Sequence, residues 1–246
     1  RHDFKKHPNG LLSSFVTVED HFEVMNNQYE VIDTYEAIGY ITDDHEFLMR
    51  PNGNVILMIY DPQVVDMSQI VDGGQPDAVV FGLVLQEIDP QRNVVFEWRS
   101  WDHIPITDTR VDLTDDFIDY IHGNSIEVDH DGHWIISGRT TDEVTKINRS
   151  TGDIIWRMGG KANEFTFVPD NGEPFFAQHD ARRASNGNLT IFDNGNGSYA
   201  RAVEYEVDEV NKIATRVWEH RQEGGPSRAL GNVQRLANGN TMIGWG

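Results

Sequence analysis

The chain has 246 residues, a formal net charge of −20 and no cysteine, and 38% of its residues are hydrophobic. This length and apolar content are sufficient for one large domain with its own core. The lack of cysteine excludes disulfides and thiolate metal sites, and it leaves the redox compartment open. The negative charge argues against nucleic acid as a partner, because phosphate backbones require a basic surface. No apolar run is long enough to span a bilayer.

From the amino terminus onward, the predicted elements form a series of similar four-stranded units. Each unit begins with two segments rich in β-branched and aromatic residues, separated by a turn that contains glycine, which is the signal of a β-hairpin. The turn glycines are Gly10, Gly53, Gly132, Gly187 and Gly239. The units cover residues 2–39, 45–101, 122–160 and 179–221, and residues 231–246 supply two more strands. The third unit has the most regular pattern.

A unit of four strands that recurs about every 40–50 residues is typical of β-propeller blades. The predicted fold class is therefore all-β, a β-propeller of four-stranded blades, with residues 1–246 in a single domain. About four and a half blades are recognisable, whereas propellers typically have about four to eight. We therefore expect a six-bladed protein of which this chain is a part, and an added segment that covers the exposed edge strands.

Three insertions interrupt the repeat, at residues 62–80, 102–120 and 161–178. In the second of them, Thr114 is a plausible cap for a short helical turn through Phe117. The third carries four phenylalanines just before His179. That apolar loop either closes over a ligand or covers a junction between blades, and the sequence favours neither alternative.

The repeat also brings chemically active side chains into register. The first position of the first strand holds His2, His45, His122 and His179, and the fifth repeat has Gly231 there. Because the second strand runs antiparallel to the first, its end returns to the same mouth of the channel. Seven residues after each turn glycine, the corresponding positions hold Thr17, Tyr60, Arg139, Asn194 and Gly246. We therefore expect Arg139 at the same mouth as the histidines.

This mixture of groups suits an oxyanion such as sulfate or phosphate, which binds charge-assisted donors. Arg182 and Arg183 are candidates for further local positive charge. A metal site is the rival use of clustered histidines, but Arg139 would repel a cation. Asp129, Asp131 and Asp193-Asn194 could suggest calcium, although turns between strands explain them equally well. A purely structural packing motif is the remaining alternative for the histidines.

Three stretches, HGNSI to SGR at 122–139, QHDARR at 178–183 and NGNTMIGWG at 238–246, together resemble the bacterial arylsulfotransferase family. The resemblance implies a six-bladed propeller, usually periplasmic or secreted, that transfers sulfuryl groups between phenols without the nucleotide sulfate PAPS. The family's transient sulfohistidine matches His179, and its other motif residues match His122, Arg139 and His45. The family often has a His-His pair where this chain has Asp44-His45.

The resemblance implies a ping-pong transfer from an aryl sulfate ester to a phenolic acceptor, with His179 as nucleophile and no cofactor or metal. His122 and Arg139 would bind sulfuryl oxygens, and His45 would be a further oxygen ligand or the acid–base. The expected partners are these small molecules, with no nucleic acid and no membrane span. The expected location is periplasmic or secreted, with a signal sequence outside this chain. A sulfate-ester hydrolase and a non-catalytic secreted binding module are the alternative functions.

Overall fold

A computed structural model of the protein describes residues 2–169, 174–195, 197, 199–221 and 225–246. In these residues the chain forms twenty β-strands and three 3-10 turns, so the all-β prediction is confirmed. Two compact units are present, one made of Arg1–Ile104 and Asp112–Asp119 and the other of Pro105–Val111 and Tyr120–Gly246. The single domain over residues 1–246 stays a prediction. Across the described ranges, no helix has the length and apolarity needed to cross a membrane.

The first unit contains two sheets, each with four antiparallel strands in sequential order, and the second sheet has a fifth strand. The first sheet consists of β1 (His2–Lys6), β2 (Leu12–Val16), β3 (His21–Met25) and β4 (Val31–Tyr35). The second consists of β5 (Ile41–Met49), β6 (Val55–Val65), β7 (Ala78–Ile88) and β8 (Val94–Arg99), and β9 (Phe117–Asp119) pairs in parallel with β7. Both sheets match the predicted four-stranded units, since each pairs its strands in chain order.

Two details of the first unit differ from the sequence prediction. The first strand of the second sheet begins at Ile41 rather than at His45, because a bulge between Thr42 and Phe47 carries His45 within the strand. No helical turn forms from Thr114 to Phe117. Instead, the Asp112 side chain accepts hydrogen bonds from the backbone N–H and the hydroxyl of Thr114, and the chain then enters β9. This local Asp turn competes with helix initiation.

The second unit contains three further sheets. The first consists of β10 (Gly123–Val128), β11 (Trp134–Gly138), β12 (Glu143–Ile147) and β13 (Ile154–Gly159). In the next sheet, β14 (Thr166–Val168) pairs in parallel with the outer strand of β15 (His179–Arg183), β16 (Leu189–Asp193), β17 (Arg201–Asp208) and β18 (Ile213–Arg221). The last sheet contains β19 (Asn232–Arg235) and β20 (Thr241–Gly244).

The core of the second unit explains part of the third insertion. Phe165 and Phe175 are buried in one apolar cluster with Trp156 of β13 and Tyr205 of β17. These two phenylalanines therefore cover the junction between the sheets, as one of the two alternatives predicted. Residues 170–173 of the same insertion lie outside the described residues.

Candidate active site

The start of β10 and the end of β11 meet in the second unit. The backbone N–H of Arg139, which directly follows β11, donates to the carbonyl of His122 at 3.0 Å. His122 directly precedes β10 and has a left-handed backbone with φ of +44°. Antiparallel pairing therefore brings these two predicted site residues opposite each other, as the repeat register predicts.

His179 begins the neighbouring inner strand β15 and is 5% exposed. Two buried hydrogen bonds tie this strand to β10. The Ser125 hydroxyl accepts from the backbone N–H of Ala181 at 3.0 Å, and the Asn124 amide donates to the carbonyl of Gln178 at 2.8 Å. The ends of the two strands that carry His122 and His179 are thus linked side by side.

Gln178 is a functional candidate that the repeat register did not identify. Its fully buried amide nitrogen donates to the Ser137 hydroxyl at 3.0 Å and to the carbonyls of Gly138 and Glu143 at 3.0 and 2.9 Å. These bonds fix the residue before His179 to β11 and β12. Its place directly before His179 in the sequence was the one available signal, because buried amides have no periodic pattern.

The imidazole of His179 is bonded at both nitrogens. Its Nδ1 lies 2.8 Å from Oδ1 of Asn194, which follows β16, and 3.2 Å from the carbonyl oxygen of Ala177. The backbone N–H of Leu230 donates to Nε2 at 3.2 Å. The register predicts Asn194 at this mouth, whereas nothing in the repeat predicts Leu230.

Residues 227–231, which we name the strap, contact two of the predicted site residues. Besides the bond from Leu230 to His179, the Arg228 carbonyl accepts from the guanidinium of Arg139 at 2.8 Å. Leu230 and Gly231 both have left-handed backbones, with φ of +61° and +102°. A Cβ at Gly231 would lie 2.2 Å from the Phe192 ring, so glycine is required for this close approach. Residues 227–230 of the strap lie between the predicted fourth and fifth blades, which explains why the repeat pattern did not identify them.

His45 belongs to the first unit, and its environment is acidic. Its Nδ1 is 2.8 Å from Oδ1 of Asp43 and 3.5 Å from Oδ1 of Asp44. Burial alone would lower the pKa of His45, but the hydrogen bond to Asp43 and the negative charges of Asp43, Asp44 and Asp119 outweigh burial and raise it. This imidazole therefore favours the protonated form. Its proximity to the three site residues of the second unit stays a prediction.

The aspartates named as alternative calcium ligands in the sequence analysis are paired with cations of the protein itself, Asp193 with Arg201 at 2.7 Å and the other two with Lys146. Lys146 Nζ lies 2.8 Å from Asp129 and 2.7 Å from Asp131. Arg183 is the last residue of β15, at the end of the strand opposite to His179. There it donates two hydrogen bonds of 2.8 Å to Asp129. The prediction that Arg183 adds positive charge beside the histidines is therefore wrong. Arg182 forms an ion pair with Asp180 at 2.6 Å.

Comparison with known proteins identifies the family of this chain. The family model described as arylsulfotransferase (ASST) matches residues 18–246. The chain belongs to the arylsulfotransferase family. Two curated relatives are arylsulfate sulfotransferases AssT. That of Escherichia coli O6:H1 is 38% identical over 85 residues, and that of Lelliottia amnigena is 36% identical over 61 residues. These matches cover 29% and 20% of this chain but only 14% and 10% of the relatives.

Solved structures support the fold of this arylsulfotransferase-family chain. A catalytically inactive virginiamycin B lyase from Staphylococcus aureus, with quinupristin, has a TM-score of 0.53 at 9% identity, covering 98% of this chain and 68% of the lyase. A gluconolactonase from Xanthomonas campestris has a TM-score of 0.53 at 11% identity, covering 99% of this chain and 68% of that protein. At such low identity the likeness is one of fold alone. With the four-stranded sheets, it confirms the β-propeller fold class.

Proposed function

We propose that this protein transfers a sulfuryl group from an aryl sulfate ester to a phenolic acceptor, through a sulfohistidine at His179 and without PAPS. Membership of the arylsulfotransferase family supports the reaction class. The observation that carries the assignment is the buried His179 imidazole, which is held at Nδ1 by Asn194 while the strap joins its Nε2 to Arg139. A neutral imidazole in a fixed orientation is a competent nucleophile.

In the first half-reaction, Nε2 of His179 attacks the sulfur of the aryl sulfate. The N–S bond forms while the S–O bond to the aryl group breaks, and the electron pair of that bond leaves on the phenolate oxygen. A histidine, His122 or His45, supplies the proton that converts the phenolate to phenol. Before the reaction, Nε2 accepts a hydrogen bond from the Leu230 N–H. As the N–S bond forms, this N–H donates its hydrogen bond to a sulfuryl oxygen instead.

The protein contributes mainly charge stabilisation. We infer from the analogy to phosphoryl transfer that the transition state is loose and that negative charge is spread over the equatorial oxygens. Arg139 directly follows β11 and His122 directly precedes β10, at strand ends that pair with each other. The Arg139 guanidinium and the His122 imidazole are the donors that we assign to these oxygens. Pre-organised donors of this type act where charge develops and require little rearrangement.

In the second half-reaction, the oxygen of a phenolic acceptor attacks the sulfur of the sulfohistidine. The N–S bond breaks, its electron pair returns to Nε2, and the acceptor proton passes to the histidine that protonated the first phenolate. One site thus serves donor and acceptor in turn, which gives ping-pong kinetics. We further propose a periplasmic or secreted location, consistent with the family resemblance.

The test is to incubate the protein with para-nitrophenyl sulfate, with and without phenol, and to quench it for mass spectrometry. We expect a sulfuryl adduct on the peptide that contains His179, followed by phenyl sulfate when phenol is added. His179→Ala should abolish both products. The control is His130→Ala, which replaces an exposed turn histidine of the same unit.

The alternative functions give different outcomes in this assay. A sulfate-ester hydrolase would release nitrophenol and inorganic sulfate at the same rate with or without phenol. A non-catalytic binding module would give neither adduct nor product. Wild-type turnover in the His179→Ala variant would refute the proposed mechanism outright.

A further inference from the structure

The side chain of Asn194 joins the imidazole of His179 to the strap. Its Oδ1 is 2.8 Å from Nδ1 of His179, and its Nδ2 donates to the Leu230 carbonyl at 2.9 Å and to the Ser227 hydroxyl at 3.2 Å. The backbone carbonyl of Asn194 also accepts from the N–H of Ser227 at 3.0 Å. Asn194 is completely buried, so water does not compete for these bonds. One amide thus contacts the histidine on one side and the strap on the other.

The partners of this amide determine which of its atoms faces the histidine. The Leu230 carbonyl can only accept a hydrogen bond, so the atom that faces it must be the NH₂ nitrogen. The Ser227 hydroxyl uses its hydrogen on the Ala229 carbonyl at 3.0 Å, and it therefore accepts from the same NH₂ group. The remaining amide atom, the oxygen, faces Nδ1 of His179.

An amide oxygen opposite Nδ1 requires that Nδ1 carry the proton of the neutral imidazole. The Ala177 carbonyl, 3.2 Å from Nδ1, is a second group that can only accept there. The N–H of Leu230, which can only donate, faces Nε2. These three neighbours select the same tautomer, with the lone pair on Nε2.

We infer that Asn194 is a positioning residue that keeps the proton on Nδ1 of His179 and thereby presents the Nε2 lone pair to the sulfur. The inference rests on the proposed function for the identity of the nucleophile. A neutral partner matters because it orients the ring without favouring the imidazolium, which has no lone pair. His45 shows the contrasting arrangement: its Nδ1 lies at the same distance of 2.8 Å from an Oδ1 atom, but that atom belongs to the carboxylate of Asp43.

The decisive variant is Asn194→Asp, which has nearly the same shape and replaces the amide with a carboxylate. A carboxylate beside Nδ1 stabilises the imidazolium, so the acidic limb of the pH profile of kcat/KM should move to higher pH. At neutral pH we expect a loss of about 10- to 100-fold, comparable to the loss of other residues that orient a functional histidine. Activity should recover as the pH is raised. The matched control is Asn238→Asp in an exposed turn.

A second measurement needs no substrate. Nitrogen NMR of ring-labelled histidine, with the His179 signals assigned from a His179→Gln variant, reports which ring nitrogen carries the proton. We expect the Nδ1–H tautomer in the wild-type protein at neutral pH and the imidazolium in Asn194→Asp. An Nε2–H tautomer in the wild type would overturn the inference, even if the variant failed to fold.

These two readouts separate the inference from the proposed function. If the NMR result is as expected but no sulfuryl transfer occurs, the proposed function is wrong and the role of Asn194 in fixing the tautomer stands. If transfer occurs but Asn194→Asp keeps the wild-type pH profile, the function stands and the inference is wrong. The trapped sulfohistidine gives a further check, because the sulfuryl group should be on Nε2.

Discussion

Replacing Lys146 with methionine tests the ion-pair network that joins the two larger sheets of the second unit. Lys146 is 2% exposed, and its Nζ lies 2.7–3.0 Å from carboxylate oxygens of Asp129, Asp131 and Glu209. Arg183 contacts Asp129 at 2.8 Å and Glu209 at 2.7 Å. Methionine preserves the aliphatic length of the side chain and removes the charge, so the variant isolates the electrostatic part of the interaction.

The structure determines how large the loss should be. Removing one partner of a buried ion pair typically costs about 3–5 kcal/mol, because a buried charge is left uncompensated. In this protein the side chains of Asp131 and Glu209 are 49% and 31% exposed and can turn to water. Asp129 is only 5% exposed, but it keeps its two hydrogen bonds from Arg183. We therefore expect a loss at or just below the lower limit of this range, about 2–3 kcal/mol, or roughly 4–12 °C in Tm.

Urea unfolding of Lys146→Met measures this free energy, with Lys212→Met as the control. The Lys212 ammonium lies 3.7 Å from Glu164 in a pair that is 29% and 41% exposed, so its removal should change the free energy of unfolding by less than about 0.5 kcal/mol. An equal, small effect of both variants at an unchanged m-value would refute the reasoning. The transfer rate per folded molecule should not change, because Asp129 and His122 flank opposite ends of β10, about 20 Å apart in an extended strand.

Three further predictions concern the candidate site. Arg139→Ala should lower kcat by about 100-fold or more, as expected when a donor to a transition-state oxygen is lost, whereas His2→Ala, outside the family match, should leave steady-state sulfuryl transfer nearly unchanged. Asp43→Asn should lower the pKa of His45, because the bond to Asp43 and its charge help to raise it. If protonated His45 is the acid that protonates the leaving phenolate, kcat falls as the pH rises through the pKa of His45. The alkaline limb of the kcat profile should therefore move to lower pH in the variant. An unmoved limb would exclude His45 as that acid.

The strands and part of the site could be predicted because both depend on local patterns. Alternating apolar residues and glycine turns define each hairpin, and antiparallel pairing then requires that Arg139 return to His122. The same register predicted Asn194 at the channel mouth that holds the histidines, although it predicted neither its contact with His179 nor a role for the amide. These predictions needed only the hairpin geometry of one repeat at a time.

The remaining features depend on contacts between distant segments that share no periodic signal. Leu230 reaches His179 from 51 residues further along the chain, through a backbone N–H that any residue except proline could supply. Gln178 uses a buried amide to bond three groups on β11 and β12. The bulge that places His45 inside β5 likewise adds residues that no alternation of apolar side chains indicates. Backbone donors and bulges are therefore the parts of this site that sequence patterns do not encode.

Equivalent positions in a repeat do not give equivalent chemistry, and the two histidines that begin β1 and β15 demonstrate the reason. His2 and His179 are each followed by an aspartate with a left-handed backbone, with φ of +43° at Asp3 and +55° at Asp180, so the local backbone is alike. The side chain of His2 is 60% exposed and contacts the carboxylate of Asp44. His179 is 5% exposed and contacts a neutral amide and a backbone N–H. The repeat supplies the position, and burial together with the charge of the partner decides whether the imidazole there can act as a neutral nucleophile.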